Sequence, residues 1–185
     1  SFSQARFIAK TLKTEIPRVI NHGSLSGVNT NLFIPKIKKN FLIKNELQEN
    51  NKYSKFQNFL NKCNLKKNIS IFGYIGRLHI DKGIITLLEA FKEHLETYPN
   101  NKLVLIGPIE LNKKHMEIIY NNQDSFLHLD YTNYIYYYYP HFRCIILPSL
   151  REGFGSVVIE AGACKVPSIS TKVSGPIDII KHKSF

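Results

Sequence analysis

The pattern of apolar and polar positions predicts short strands that alternate with helices along most of the chain. Four largely apolar runs have the length of buried strands, and they lie at residues 69–75, 102–106, 126–129 and 144–147. A last short strand is predicted at residues 168–170. Helical spacing of apolar residues marks residues 1–14, 82–97, 112–121 and 156–163, and a further amphipathic helix carries Phe56, Phe59, Leu60 and Cys63 on one side. This alternation predicts an α/β fold, a Rossmann-like parallel sheet with helices on both faces.

Composition divides the chain into three parts. Residues 1–35 are predicted to form a helix, a short apolar piece at 18–20 and a Gly/Ser-rich loop. Residues 36–68 are predicted to form a basic connection that ends in the short amphipathic helix, and residues 69–185 a Rossmann-like core that is incomplete at its C-terminal end. The aromatic run at residues 134–139 is interpreted as a core-facing helix with some exposed rings, rather than as an aromatic platform for a ligand.

Positive charge is concentrated in the middle part. The chain has 25 Lys and Arg against 14 Asp and Glu, a formal net charge of +11, and residues 36–67 contain nine Lys and two Glu. We interpret this segment as a solvated surface, with attraction to an anionic membrane as the alternative. Lys dominates over Arg and no nucleic-acid-binding module is recognisable, so nucleic acid is not an expected partner.

Cysteine usage and hydropathy favour a cytoplasmic protein. The three Cys have neither CxxC spacing nor His partners at ligand spacing, so neither a zinc site nor a disulfide framework is indicated. No apolar run approaches the roughly 18–20 residues of a transmembrane helix, and no signal peptide is apparent. The basic segment adds the inner face of the membrane as an alternative location.

The segment from residue 148 to residue 160 carries the densest set of chemically informative positions. A buried strand leads through Gly153 and Gly155 into a helix, so the backbone can approach a ligand and the helix start can bind an anion. Glu160 is the only charge on this apolar helix and needs a partner, either the hydroxyls of a ribose or a Lys or backbone N–H inside the fold. Glu152 is either a surface Glu favoured by the helix dipole or an acceptor for sugar hydroxyls.

A second group of residues, Gly76 to Gly83, follows the first strand. Arg77 and Lys82 suit a diphosphate, because a guanidinium offers a fork of donors and an ammonium a point charge. As an isolated pattern this is weak, since a Lys at a helix start is common on protein surfaces. Ligands bind outside the carboxyl ends of parallel strands, so the loops after residues 75, 106 and 147 are expected to converge on one site.

In order and spacing these motifs resemble the retaining glycosyltransferases of family 4 (GT-B fold, group 1), in their nucleotide-binding C-terminal half. The residues that carry the resemblance are Gly76-Arg77-Leu78, Lys82-Gly83, Gly107-Pro108, the E-x7-E pair Glu152 and Glu160, Val166-Pro167, the segment 171–176 and the loop at 22–29. The resemblance implies transfer of a sugar from a nucleotide-diphosphate donor, UDP rather than GDP, to a glycan or lipid-linked acceptor in surface polysaccharide synthesis. It implies no cofactor and no metal, because basic residues and a helix terminus replace the metal.

The resemblance also implies residue roles. Arg77 and Lys82 would hold the diphosphate and neutralise the leaving nucleotide, while Glu152 would contact the transferred sugar. Arg77, Lys82 and Glu152 are thus the candidate catalytic residues. Glu160 would bind the donor ribose. The remaining donor-binding candidates are backbone positions: Gly76, Gly107 beside the base, Gly153, and the N–H groups of Phe154, Gly155 and Ser156.

Two departures from the family pattern qualify these expectations. The N-terminal Rossmann-like half, which would contact the acceptor, is not recognisable, so we expect the chain alone to bind nucleotide without efficient transfer. The alternative is a non-catalytic nucleotide- or anion-binding remnant. In addition, Lys165 stands where a Gly is usual before Val-Pro, so the turn there is a candidate for local change.

Overall fold

A five-stranded parallel sheet organises the chain in the computed structural model, which describes residues 2–18, 27–35, 51–64 and 69–180. The strands are β1 (Ile71–Ile75), β2 (Lys102–Ile106), β3 (Phe126–Leu129), β4 (Cys144–Leu147) and β5 (Ser168–Ser170). Their order across the sheet is β3-β2-β1-β4-β5, and every pair among these strands is parallel. The predicted strands and the predicted parallel sheet are therefore confirmed.

Six helices surround this sheet in the described residues. They are α1 (Phe2–Leu12), α2 (Asn51–Asn64), α3 (Ile84–Thr97), α4 (Lys113–Tyr120), α5 (Ser156–Ala163) and α6 (Pro176–Ile179). The helix α4 begins one residue after its predicted start at Asn112. Asn112 is the N-cap, and its side chain accepts a hydrogen bond from the His115 N–H.

Two predicted helices are wrong in part. The helix predicted from Lys82 starts at Ile84, because Gly83 has a φ of 65° and separates it from a 3-10 turn at Ile80–Lys82. The helix predicted at residues 134–139 is a pair of 3-10 turns, Ile135–Tyr137 and Tyr139–His141. Pro140 explains the second difference, because a proline disfavours helical backbone at the residue before it and lacks an N–H.

Both faces of the sheet are covered, as β2 shows most clearly. Leu103 and Leu105 pack with the apolar faces of α3 and α4, whereas Val104 and Ile106 pack with α2 and the aromatic turns. All five residues of β2 are buried. Since successive side chains of a strand point to opposite faces, burial of all of them requires a layer on each side, and the predicted two-sided arrangement is confirmed.

The aromatic segment before β4 forms part of the core, as predicted. Tyr137, Tyr138 and Tyr139 are buried, while Tyr134 is partly exposed. The ring of Tyr138 lies 4.9 Å from that of Phe56 on α2, a distance typical of favourable aromatic pairs. These contacts hold α2 against the sheet.

The lysines of α2 have structural partners at the edge of the sheet. Lys55 donates to the carbonyl oxygen of His128 at 3.1 Å, and Lys52 donates to that of Tyr131. These two members of the basic segment therefore satisfy backbone acceptors at and just after β3 in addition to facing solvent.

Several predictions fall wholly or partly outside the described residues. These are the apolar piece at 18–20, the loop at 22–29, most of the basic connection at 36–68 and the end of the core at 181–185. The six helices that the structure describes include none with the length and hydropathy needed to cross a membrane.

The turn after α5 keeps a regular helix-ending geometry although Lys165 stands where a Gly is usual. Lys165 has a φ of 58°, its N–H donates to the carbonyl of Gly162, and the Val166 N–H donates to that of Ala161. This is the Schellman arrangement, which places the first residue after the cap in left-handed backbone. Lysine adopts that left-handed backbone at some energetic cost, so the turn carries local strain.

The loops that follow β1, β2 and β4 pack backbone against backbone. A Cβ on Gly107, whose φ is 145°, would lie 2.1 Å from the carbonyl oxygen of Gly76. A Cβ on Gly83 would lie 2.0 Å from that of Pro148. Side chains cannot occupy either place, so these two glycines are required for the loops to meet.

We predict that Gly107→Ala destabilises the fold by roughly 2–4 kcal/mol, because it adds a steric clash to an unfavourable backbone conformation. Gly162→Ala is the matched control, since nothing lies within 4 Å of its added methyl group and the site is helical. The control should be as stable as the unmodified chain or more stable by up to about 1 kcal/mol. Urea unfolding measures both, and equal stabilities for the two variants would contradict the close packing of the loops.

Candidate functional site

The candidate site lies at the carboxyl edge of the sheet, between β1 and β4. In chain order, β2 and then β3 are added on one side of β1, whereas β4 and β5 lie on its other side. The strand order therefore reverses between β1 and β4. A crevice at such a reversal is where open α/β sheets bind ligands. The N–H groups of Leu150 and Arg151 both donate to the carbonyl oxygen of Asp81, at 2.9 and 3.3 Å, which ties the two loops together there.

Lys82 and Glu152 form an ion pair that joins these loops. The Nζ of Lys82 lies 3.0 Å from Oε2 of Glu152, and the two side chains are only 19% and 17% exposed. Oε2 also accepts from the hydroxyl of buried Ser149 at 3.4 Å, and Oε1 accepts from the Gly153 N–H at 3.0 Å. The Glu152 carboxylate is therefore held in one orientation by three donors.

Arg77 is paired with a carboxylate that the sequence analysis missed. Its Nη1 donates to Oε2 of Glu110 at 2.7 Å, and both side chains are more than a third exposed. The pair forms because the loops after β1 and β2 run side by side, with the Leu78 N–H donating to Pro108 and the Glu110 N–H donating to Leu78. The sequence does contain a signal for Glu110, because an acidic residue there stands just beyond a predicted strand that ends in glycine.

Asp81 adds a second carboxylate near Arg77, at 3.9 Å from its Nη2. A hydrogen bond from the His79 side chain, followed by the positive charges of His79, Arg77 and Lys82, lowers the pKa of Asp81. Asp81 is therefore ionised at neutral pH. The loop after β1 thus carries two cations and one anion of its own.

Tyr74 holds the loop after β1 in place through a hydrogen bond. Its buried hydroxyl donates to the carbonyl oxygen of Arg77 at 2.6 Å. Burial first, and then the negative charges of Glu152 and Asp81, raise the pKa of Tyr74 well above its usual value, so the phenol remains a donor. Tyr74 was not predicted as a site residue, because in the sequence it occupies an ordinary apolar strand position.

The turn before α5 offers unpaired backbone donors. Within the described residues, the N–H groups of Phe154, Gly155 and Ser156 donate to no acceptor, and no side chain caps the helix. Free N–H groups at a helix start, together with the helix dipole, favour a bound anion. The loop at Gly175 packs directly against this turn. A Cβ added to Gly175 would lie 2.6 Å from the carbonyl oxygen of Gly153.

Glu160 has a partner that neither alternative in the sequence analysis named. The hydroxyl of Tyr139 donates to its Oε2 at 2.5 Å. Burial, and then the negative charge of Glu160, raise the pKa of Tyr139 far above its usual range, so the phenol stays protonated. The helix α5 is buried on one side only, through Val158 and Ala161, and Glu160 itself is partly exposed.

The structure brings the candidate residues to one edge of the sheet. Gly76 and Gly107 touch through their backbones, and Lys82 contacts Glu152. Gly153, Phe154, Gly155 and Ser156 form the turn into α5, and Glu160 lies on the second turn of that helix. The contact with Gly76 gives Gly107 a packing role besides any approach of a ligand. The described residues contain no cluster of three or more His, Cys, Asp or Glu that could hold a metal.

Two cavities lie away from this edge. One, of about 720 Å³, lies between α2, β3 and α4 and is lined by residues that include Lys55, Lys62 and His128. The other, of about 550 Å³, lies at the opposite ends of β1 and β4. Neither is lined by Arg77, Lys82, Glu152 or Glu160. We assign the site from the arrangement of charges and donors, because an open surface can bind a charged ligand without enclosing it.

The sheet topology and the glycine-rich loops define a Rossmann-like α/β domain, and comparison with known families identifies it further. The chain belongs to the family of group 1 glycosyl transferases, whose sequence model matches residues 55–184. It is similar to the capsular polysaccharide biosynthesis glycosyltransferase CapM of Staphylococcus aureus, with 32% identity over 165 residues, 88% of this chain and 39% of CapM. The chain thus spans about two fifths of the length of that relative.

Solved structures show the same fold. The C-terminal domain of the group 1 glycosyl transferase LpcC from Francisella tularensis has a TM-score of 0.60 at 24% identity, over 84% of this chain and 76% of that one. HepE from Anabaena, solved with UDP and glucose, has a TM-score of 0.61 at 20% identity, over 84% of this chain and 39% of HepE. The predicted GT-B C-terminal fold and group 1 membership are confirmed, while family 4 and retention of configuration stay predictions.

We predict that the two ion pairs of the site differ in strength. Double-mutant cycles with Lys82→Met and Glu152→Gln should give a coupling of about 1–2 kcal/mol, because this pair is shielded from water and charge-assisted. Cycles with Arg77→Met and Glu110→Gln should give a coupling energy of less than about 0.5 kcal/mol, because exposure to solvent weakens that pair. The couplings are measured by urea unfolding at low and high salt, and only the second should vanish at high salt. Equal couplings would contradict the described difference in burial.

Proposed function

We propose that this chain is the donor-binding half of a retaining family 4 hexosyltransferase, which transfers a sugar from a UDP-linked donor to a glycan or lipid-linked acceptor in surface polysaccharide synthesis. One observation carries the proposal. Two cations, a fixed carboxylate and the unpaired N–H groups at the start of α5 lie on loops at the same edge of the sheet, around the point where the strand order reverses. That combination suits a sugar diphosphate.

Arg77 and Lys82 would bind the diphosphate and stabilise the charge that develops on the leaving nucleotide. The Arg77–Glu110 pair is exposed and therefore weak, so Arg77 can exchange Glu110 for a phosphate at little cost. The N–H groups of Phe154, Gly155 and Ser156 would add neutral donors to the same anion. We propose that these groups, with no metal and no cofactor, supply the positive potential the reaction needs.

The two carboxylates of the E-x7-E pair would bind sugars on either side of the diphosphate. Glu152, held by Lys82, Ser149 and its neighbouring N–H, would accept hydrogen bonds from the transferred sugar. Glu160 would bind the donor ribose through Oε1, which accepts no hydrogen bond from the described residues. Gly107, which packs against the backbone of Gly76, would allow close approach of the base.

The relatives support the substrate class and the biological setting. CapM is a capsular polysaccharide glycosyltransferase, and HepE was solved with UDP and glucose. Because the chain spans about two fifths of CapM, we propose that acceptor contacts come from an N-terminal Rossmann-like domain and that the chain alone binds nucleotide with little transfer. We place the reaction in the cytoplasm. We interpret the basic segment as a solvated surface, with a peripheral contact to anionic lipid as the alternative.

We predict that the chain binds UDP saturably and more tightly than GDP in a calorimetric titration, and that EDTA leaves the affinity unchanged. The double variant Arg77→Ala/Glu160→Ala should lose at least about 10-fold in affinity, because the charged contact to the diphosphate and the carboxylate contact to the ribose are both removed. Lys92→Ala on α3 is a control that removes a Lys placed outside the site.

Three results would contradict parts of this proposal. Absence of binding to both nucleotides would contradict a working donor site in this chain. Tighter binding of GDP would contradict the UDP assignment alone. Multiple turnovers of a UDP-hexose by the purified chain would contradict the requirement for a further domain.

A further inference from the structure

We propose that Tyr139 is a positioning residue that makes the nucleotide site select ribose over deoxyribose, by fixing the orientation of the Glu160 carboxylate. The inference rests on the proposed function, since it assigns Glu160 to the donor ribose. It extends that function to a residue outside the glycine-rich motifs. The contact that carries it is the 2.5 Å hydrogen bond from the Tyr139 hydroxyl to Glu160 Oε2.

The position of the Tyr139 ring is set by the core. Tyr139 begins the 3-10 turn Tyr139–His141 that precedes β4, and its ring has no exposed surface. The ring packs edge-to-face on Phe33 with 5.6 Å between centroids and belongs to the cluster that includes Ala161 and Cys164. Close-packed rings of this kind keep a single orientation, so the hydroxyl has a fixed place beneath α5.

That hydroxyl has one good acceptor. Apart from Glu160 Oε2, the nearest oxygen with which it is in contact is the carbonyl of Val157 at 3.5 Å, which is too long for a strong hydrogen bond. The phenol is kept protonated by its burial, so it is the donor and the carboxylate is the acceptor. Charge-assisted bonds of this type are the shorter and stronger class. The bond therefore commits one carboxylate oxygen and leaves the other for a ligand.

Fixing the carboxylate matters for recognition of a diol. A free glutamate side chain samples many rotamers, and ordering it on binding costs conformational entropy. The buried phenol performs that ordering before a ligand arrives, so hydrogen bonds to ribose hydroxyls contribute more fully to affinity. Selection against a deoxyribose depends on those bonds, so it should weaken when the phenol hydroxyl is removed.

The experiment compares UDP with 2′-deoxy-UDP on the full 185-residue chain and measures the ratio of the two dissociation constants. The unmodified chain should prefer UDP by about 10-fold. Tyr139→Phe keeps the buried ring, and it should lower the ratio to about 3-fold or less, mainly through weaker binding of UDP. Glu160→Gln should lower the ratio at least as far, and Tyr139→Phe/Glu160→Gln should lower it no further.

Tyr138→Phe is the matched control. The hydroxyl of Tyr138 is buried in the neighbouring position and has no hydrogen-bond partner among the described residues. Its removal should leave the ratio unchanged. A merely structural effect of losing a buried hydroxyl would change the affinities for UDP and 2′-deoxy-UDP together and would leave the ratio as it was.

The outcomes separate this inference from the proposed function. An unchanged ratio in Tyr139→Phe, with UDP still bound and the ratio lowered in Glu160→Gln, would overturn the role of Tyr139 alone. Equal affinities of the unmodified chain for UDP and 2′-deoxy-UDP would overturn the ribose contact and this inference while leaving nucleotide binding intact. Absence of UDP binding would overturn the proposed donor site and the inference together.

Discussion

The site depends on the direct contact between the backbones of loops at the carboxyl edge of the sheet. Gly83 lies so close to Pro148, and Gly107 to Gly76, that a single added carbon would come within about 2 Å of a carbonyl oxygen in each place. The contact of Gly83 with Pro148 places the turn at Ile80–Lys82 against the loop after β4. There the carbonyl oxygen of Asp81 accepts hydrogen bonds from the N–H groups of Leu150 and Arg151. It is this approach that sets Lys82 against Glu152, although the two are 70 positions apart.

The electrostatic arrangement follows from that geometry. Each cation of the site is paired with a carboxylate, Lys82 with Glu152 in a shielded position and Arg77 with Glu110 in an exposed one. A shielded pair holds its members in place, whereas an exposed pair exchanges partners readily. In our account Lys82 and Glu152 therefore form the fixed part of the donor site and Arg77 the adaptable part. Tyr74 and Tyr139 support the two halves through buried hydroxyls.

The sheet was predictable from the sequence, and several of the contacts within the site were not. Buried parallel strands are largely apolar runs, so β2, β3 and β4 were located from the sequence to the residue. The bounds of β5 were also predicted correctly, although its sequence is Ser-Ile-Ser and its residues are not buried. The start of α3 was misplaced, because the left-handed backbone of Gly83 depends on packing against Pro148, which lies far along the chain. Glu110 and Tyr139 were missed for the same reason, since their partners are set by tertiary contacts. The assigned roles of the site residues and the division into three parts stay predictions.

Mapping the bound nucleotide by NMR tests the central claim most directly. Amide resonances of the isotope-labelled chain are followed as UDP is added. Our account predicts saturable shifts for Gly76, Phe154, Gly155 and Ser156 at the edge between β1 and β4. Shifts confined to the cavity beside α2, around Lys55 and His128, would contradict it and would move the nucleotide site to the other side of β3.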